Sequence, residues 1–253
     1  MAANDRYVEL SAPKSGAKEE RALPSGKHPI QLHSLATPNG QKVTILLEEL
    51  GPEVVKYDAY LINIMKGDQF TSGFVGINPN SKIPALIDRE GPGGEEVKVF
   101  ESGNILLYLA EKYDSDLLPK GAARVETLNW LFFLQGAAPY FGQLGHFFKY
   151  APVKVEYGIK RYGEETQRIL DVLDKNLAKR AYVAGDSYTI ADIVWYPWVA
   201  GIIKFYSAKE LLGIDNFPHV VAWLDKISQR PAVKKGMLIN STSDGGIPEY
   251  HSE

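Results

Sequence analysis

The hydrophobic positions of this chain change their period along its length, and the changes divide it. Residues 1–28 mix charge, Gly, Pro and Ser without a period and read as an N-terminal extension outside the fold. Ile30 to Ser34 has the pattern of a short strand. Thr37-Pro38-Asn39-Gly40 then makes a turn, and Val43, Leu46, Leu47 and Leu50 mark one face of a helix that Gly51-Pro52 stops. Val54 to Tyr57 begins a second strand. This β-α-β order predicts a parallel pair joined by a right-handed crossover. Ile62 to Phe74 is less regular, a loop with a short helical turn. Ile83 to Asp88 and Lys98 to Phe100 flank a hairpin loop, Glu90-Gly91-Pro92-Gly93-Gly94-Glu95. A helix from Gly103 to Lys112 follows, with Ile105, Leu106, Leu109 and Tyr113 at helical spacing. β-α-β followed by β-β-α is a thioredoxin-like order.

After Leu118-Pro119-Lys120 the pattern becomes helical and stays so. Val125, Leu128, Leu131 and Phe132 lead into Gly136-Ala137-Ala138-Pro139, where the helix is predicted to bend or break. Val155, Ile159, Tyr162, Thr166, Ile169, Leu173 and Leu177 space like one long amphipathic helix. Thr189-Ile190-Ala191-Asp192 has capping-box spacing, with Tyr188 and Ile193 placed as a hydrophobic staple, so the role of Asp192 is folding. Pro218 to Gln229 is a further helix, ended near Arg230-Pro231. Trp130, Phe132, Phe133, Trp195 and Trp198 read as helical core. The expected architecture is α/β plus all-α: a thioredoxin-like domain over 29–118, a helical-bundle domain over 122–240, and a tail at 241–253.

Composition narrows the function. A chain of 253 residues that is 45% hydrophobic and 23% charged is long enough for two domains of ordinary size or one large one, and can fill a core. A net charge of -3 argues against nucleic acid or an anionic membrane as a partner. No stretch reaches bilayer-spanning length and the polar N-terminus shows no apolar signal core, so cytoplasmic residence is expected. With no cysteine, the chain has no disulfide, no thiolate metal site and no CxxC centre. His28, His33, His146, His219 and His251 make no metal-ligand spacing, and no GxSxG, Walker or GxGxxG motif is present. No metal is expected.

Asn80-Ser81-Lys82-Ile83-Pro84-Ala85-Leu86 and Phe100-Glu101-Ser102-Gly103 carry the most chemistry. They read as a strand entered through an Ile-Pro bond, predicted cis, then a hairpin, a second strand, and a helix with Ser102 as its N-cap. That order leaves backbone groups exposed beside a helix N-terminus, a ledge that can hold an extended peptide by its main chain and a carboxylate by the helix end. A chain with such a ledge and no thiol of its own should borrow one from a small peptide. Local spacing leaves plainer readings open. Thr-Pro-Asn-Gly is also an ordinary turn and cap, and a Pro at the first residue of a strand needs no ligand.

These two runs, with Thr37 to Thr44, Gly67 to Phe70, Asn78 to Ala85 and Phe100 to Glu111, resemble the glutathione transferase superfamily. Asn129 to Phe132, Gly145 to Phe147, Tyr150 to Pro152 and Tyr182 to Asp192 extend the likeness, which covers about Ile30 to Val233. The Thr-Pro-Asn-Gly turn is similar to that of the nu-class branch of disulfide-bond oxidoreductases, which has fungal nitrogen-regulator relatives. The resemblance implies that Thr37 and Asn39 attend the glutathione sulfur. It implies that Ile83 and Pro84 pair with the cysteinyl backbone, that Glu101 and Ser102 hold the γ-glutamyl end, and that Gln69 and Lys82 reach the glycyl carboxylate. Arg161 matches an arginine that enters the cleft in that branch; His146 stays outside the catalytic set. Lowering a thiol pKa by about two units takes roughly 2.7 kcal/mol of preference for the thiolate, within reach of one or two charge-assisted hydrogen bonds and a helix end. The implied enzyme is a homodimeric glutathione-dependent disulfide reductase that takes glutathione, reduced or as the disulfide, as co-substrate. Its partner substrate is a small disulfide or electrophile, with weak conjugating or peroxidase activity beside the main reaction. The alternative is a non-enzymatic regulatory or interaction module on the same fold.

Overall fold

The computed structural model describes residues 15–253. They form two compact units: the described residues up to Tyr113 together with Pro231–Glu253, and Asp114–Arg230.

The first unit is built on a mixed sheet whose centre is β1 (Ile30–Ser34), with all five residues buried. The helix α1 (Pro38–Leu50) carries the chain to β2 (Tyr57–Leu61), which lies parallel to β1 with Ile30 opposite Tyr57. Short turns and α2 (Ser72–Val75) lead to β3 (Ala85–Asp88), antiparallel to β1, and then to β4 (Val97–Phe100), antiparallel to β3. The second strand therefore starts later than the run from Val54 predicts. Val54 and Val55 instead close a turn, their N–H groups donating to the Gly51 carbonyl. The helix α3 (Ser102–Lys112) follows β4 directly.

Both ends of the described chain join this unit, where the sequence pattern placed an outside extension and a tail. The Lys18 N–H donates to the Phe70 carbonyl, Glu19 bridges Thr71, and Leu23 packs on the cluster of Ile62, Phe74, Ile77 and Ala85. Residues 1–14 lie outside the described residues. At the other end α9 (Pro231–Gly236) packs on α1 so closely that a Cβ on Gly236 would lie 2.7 Å from Ile45 Cα. The Thr44 hydroxyl donates to the Gly236 carbonyl at 2.7 Å. The strand β5 (Tyr250–His251) then pairs antiparallel with β2, completing the order β4-β3-β1-β2-β5. Pro231 separates α9 from the preceding helix, but buried Val233 and the Gly236 contact, not the sequence break, decide where this segment belongs.

The second unit is helical: α4 (Gly121–Gly145), a π-helical turn (His146–Tyr150), α5 (Glu156–Leu177), α6 (Ile190–Lys204), α7 (Lys209–Leu212) and α8 (Pro218–Ser228). Pro139 does not break α4. Leu131, Leu134, Ala137, Ala138, Phe141 and Leu144 are buried on both sides of it, and this packing outweighs the hydrogen bond that proline cannot donate. The indole N–H of Trp195 donates to the Trp130 carbonyl at 2.9 Å, and Trp130, Phe133 and Trp195 form an aromatic cluster. Phe132 is 61% exposed, so it is not core. It shares an outward stripe with Val125 and Tyr140, each about two helical turns away. The capping box at Thr189 forms as read, with Tyr188 and Ile193 both buried. Among the described residues no helix is long and apolar enough to cross a membrane.

Candidate functional site

Strand register gathers the predicted peptide ledge at one end of the sheet. Because β2 runs parallel to β1 and β3 runs against it, the chain leaves β1 and β2 at the same end at which it enters β3. Since β4 opposes β3, it too ends there, with Ala85 opposite Phe100. Thr37, the segment bearing Gln69, the Ile83-Pro84 bond and Glu101-Ser102 are thereby brought to one sheet edge from four separate stretches of sequence.

Each stretch has a local reason for its shape. Thr37 is the N-cap of α1: its hydroxyl accepts from the Gly40 N–H at 3.4 Å, and Pro38 occupies the first helical position. Position 40 has to be glycine, because a Cβ there would fall 1.9 Å from the Leu35 carbonyl oxygen. The Ile83-Pro84 bond is cis, as the sequence predicts. Asn78 organises the loop before it: its amide donates to the Lys82 carbonyl at 2.7 Å while its oxygen accepts from the Asn80 N–H at 2.9 Å. The Asn at the head of the Asn-Pro-Asn-Ser-Lys-Ile-Pro run is thus a brace for the ledge. Lys82 itself is exposed and Ile83 half-buried. Gln69 is buried and donates to the Ile64 carbonyl at 3.3 Å, while its side-chain oxygen meets no hydrogen-bond partner.

At α3 the structure moves the cap by one residue. Glu101, at φ 68°, is the N-cap and makes no side-chain capping bond, and Ser102 is the first helical residue. A left-handed glutamate costs of order 1 kcal/mol and collects at functional positions. It turns the chain sharply from β4 into the helix, so the first-turn N–H groups, which have no intrahelical acceptor, open at the sheet edge. Ser102 is buried and Glu101 exposed.

The residue the sequence reading passed over is Lys42. It lies on α1 and is wholly buried. Its ammonium donates to Asn39 Oδ1 at 2.8 Å and to Ser102 Oγ at 3.1 Å, tying the two ends of the predicted site together. Burial pulls its pKa down from 10.5 to about 7, partly offset by the negative field of Glu101. Lysine usually reads as solvated surface. The available signal was its position: three and four residues before Ile45 and Leu46, it stands on the apolar face of α1. Arg161 belongs to the helical unit, on α5, half exposed and 3.8 Å from Glu165.

The profile of the glutathione S-transferase N-terminal domain matches residues 29–111, and that of the glutathione S-transferase C-terminal domain matches residues 138–231. The chain belongs to the glutathione S-transferase family. It is 53% identical over 247 residues to the disulfide-bond oxidoreductase YghU of Escherichia coli (strain K12), covering 95% of this chain and 85% of that one. It is 40% identical over 211 residues to the disulfide-bond oxidoreductase YfcG of the same organism, covering 83% and 94%. The crystal structure of a glutathione transferase YghU from Streptococcus pneumoniae, complexed with glutathione, superposes with a TM-score of 0.88 at 50% identity, covering 92% of this chain and 91% of that one. The thioredoxin-like domain followed by a helical domain is the architecture of this family, as the sequence pattern predicts.

Proposed function

We propose that this chain is a glutathione-dependent disulfide-bond reductase whose reacting sulfurs all come from its substrates. The observation that carries the reading is the convergence of Thr37, Asn39, Ile83-Pro84 and Glu101-Ser102 at one sheet edge in a chain without cysteine. Similarity to the two disulfide-bond oxidoreductases and to a glutathione-bound structure supports it.

In this reading the free N–H and C=O of Ile83 pair with the cysteinyl residue of glutathione. The first-turn N–H groups of α3 and the Ser102 hydroxyl hold the γ-glutamyl carboxylate, and exposed Glu101 pairs with its ammonium. Gln69, with an unpaired buried oxygen, and Lys82 serve the glycyl end, and Arg161 is a further candidate for binding the peptide. Thr37 and Asn39 stabilise the thiolate. That thiolate attacks one sulfur of a small disulfide, forming glutathione mixed disulfide and expelling a thiolate. A second glutathione thiolate then attacks the glutathionyl sulfur, forming glutathione disulfide and releasing the other thiolate. The exposed apolar stripe of α4, with Val125, Phe132 and Tyr140, suits the expected homodimer.

Glutathione-linked reduction of hydroxyethyl disulfide by the purified protein tests the proposal. Turnover above the uncatalysed rate is the expected result. Tight glutathione binding without turnover across a range of disulfides would replace the enzyme with a regulatory or interaction module. No binding of glutathione in either oxidation state would remove the site altogether.

A further inference from the structure

We infer that Asn240 is a positioning residue for the glutathione thiolate: from the C-terminal segment it holds the loop that presents Thr37. The inference rests on the thiolate lying at Thr37, as proposed above. Leu35, Ala36 and Thr37 carry the chain from the end of β1 into α1. Their turn closes with the Thr37 N–H donating to the Leu35 carbonyl at 2.6 Å. The Ala36 N–H is left over from this turn and donates to the Asn240 carbonyl at 3.0 Å. Thr37 depends on that support. Its hydroxyl accepts from the Gly40 N–H only at 3.4 Å, so capping alone fixes it loosely. The hydroxyl hydrogen is what a thiolate would accept, and its aim follows the loop on the N-terminal side of the cap.

Asn240 is built to keep its carbonyl in place. The residue is fully buried and left-handed, with φ 57°, a conformation that asparagine tolerates far better than most side-chain-bearing residues. Its N–H donates to the Ile247 carbonyl at 2.7 Å, and its side-chain amide donates to the Pro248 carbonyl at 2.9 Å. The Ile247 N–H donates in turn to the Leu238 carbonyl at 2.9 Å, so the segment closes on itself behind Asn240. Just before it, the Met237 carbonyl accepts from the Gln41 amide at 3.2 Å and the Gly236 carbonyl from the Thr44 hydroxyl. Gly236, Met237 and Asn240 thus supply three acceptors in a row to the β1–α1 connection. The first two locate the helix, and the third locates the loop that leads into its cap. The C-terminal family profile stops at residue 231, so all three acceptors lie outside both matched domains. Ile83 and Ser102 stand on other elements. Loss of Asn240 should therefore disturb the sulfur end of the site more than the peptide ledge.

Asn240→Ala gives up both the left-handed preference and the bond to Pro248. The test reads the pKa of bound glutathione from the ultraviolet absorbance of its thiolate, together with steady-state reduction of hydroxyethyl disulfide. In Asn240→Ala the thiol pKa should rise. Its kcat should fall about tenfold, while the KM for glutathione changes by less than about threefold. Asn240→Gly keeps the left-handed backbone without strain and should shift both readings the same way by less. In a Thr37→Val background Asn240→Ala should add little, because the hydroxyl through which it acts is gone. An unchanged thiol pKa and kcat in folded Asn240→Ala would overturn the inference, whatever its melting temperature. Full additivity with Thr37→Val would do the same. Should Asn240→Ala fail to fold, Asn240→Gly decides: readings equal to those of the unmodified protein overturn the role. The absorbance reading needs no turnover, so it stands even if the protein binds glutathione without reducing disulfides. Absence of glutathione binding by the unmodified protein is a different result and defeats the site itself, with this inference.

Discussion

Asp192 in the helical unit and Lys42 in the sheet unit are both completely buried charged side chains, and the two are handled in opposite ways. In the helical unit Asp192 Oδ1 accepts from the Val183 N–H at 3.0 Å and the Trp223 indole N–H at 2.9 Å, and its Oδ2 accepts from the Thr189 N–H at 3.0 Å. Its donors are backbone and core groups, so its surroundings are complete without any ligand. In the sheet unit Lys42 donates to Asn39 and Ser102, two residues of the proposed site. A buried charge saturated by fixed protein dipoles stabilises a fold, whereas one bonded to groups at a ligand edge orders a site. Burial moves both pKa values toward the neutral form, Asp192 up to about 6 and Lys42 down to about 7.

The contrast can be broken most forcefully at Asp192. Asp192→Ala strands three buried donors and should cost about 3–5 kcal/mol in urea denaturation, while the glutathione affinity of the folded protein stays unchanged. A loss below about 1 kcal/mol would show that the box is not what holds α6. Next, Asn39→Ala should lower disulfide reductase turnover on the order of tenfold to a hundredfold, with much less effect on glutathione affinity. An unchanged turnover number would take Asn39 out of its role.

The pH dependence of stability separates the two charges by sign. Lys42 has a folded pKa below its unfolded 10.5, so the unfolded chain holds more protons between about 7 and 10.5, and stability rises with pH across that window. Its share should be about 2 kcal/mol between pH 7 and 9, and it should vanish in Lys42→Met. Asp192 has a folded pKa above its unfolded 3.8, so its contribution is present below pH 3.8 and lost as pH rises through about 6. Parallel curves for the protein and Lys42→Met above pH 7 would mean that Lys42 does not titrate there. Smallest of all, Arg21→Ala removes an exposed ion pair to Asp68 at 2.6 Å and should change stability by no more than about 1 kcal/mol. A larger loss would show that residues 18–23 support the segment bearing Gln69.

What the sequence revealed follows the same division. Elements with a strong period or a rigid turn were legible: α1 from its apolar face, α3 after Phe100, the capping box at Thr189, and the cis bond at Ile83-Pro84. What was missed depends on partners distant in sequence. Residues 18–28 lack a period of their own and are ordered by bonds to Phe70, Ser72 and Asp58. The two residues of β5 are too few to show alternation, and only the open edge of β2 makes them a strand. Phe132 was misjudged because its neighbours Leu131 and Phe133 face inward. Lys42 and the shifted cap at Glu101 escaped because each depends on the other element being in place.

The strand β5 bears on how the protein is made. It covers β2 through Asp58–His251 and Ala59–Tyr250, and Ser252 closes it with two bonds to Tyr57 at 3.0 Å each. The helical unit is one unbroken run, but the sheet unit is assembled from segments that straddle it. During translation the bundle can finish while the sheet still shows a bare flank. For that interval the nascent polypeptide carries an unpaired strand open to a neighbour, and residues 250–252 decide whether the flank is sealed within the same chain or by another.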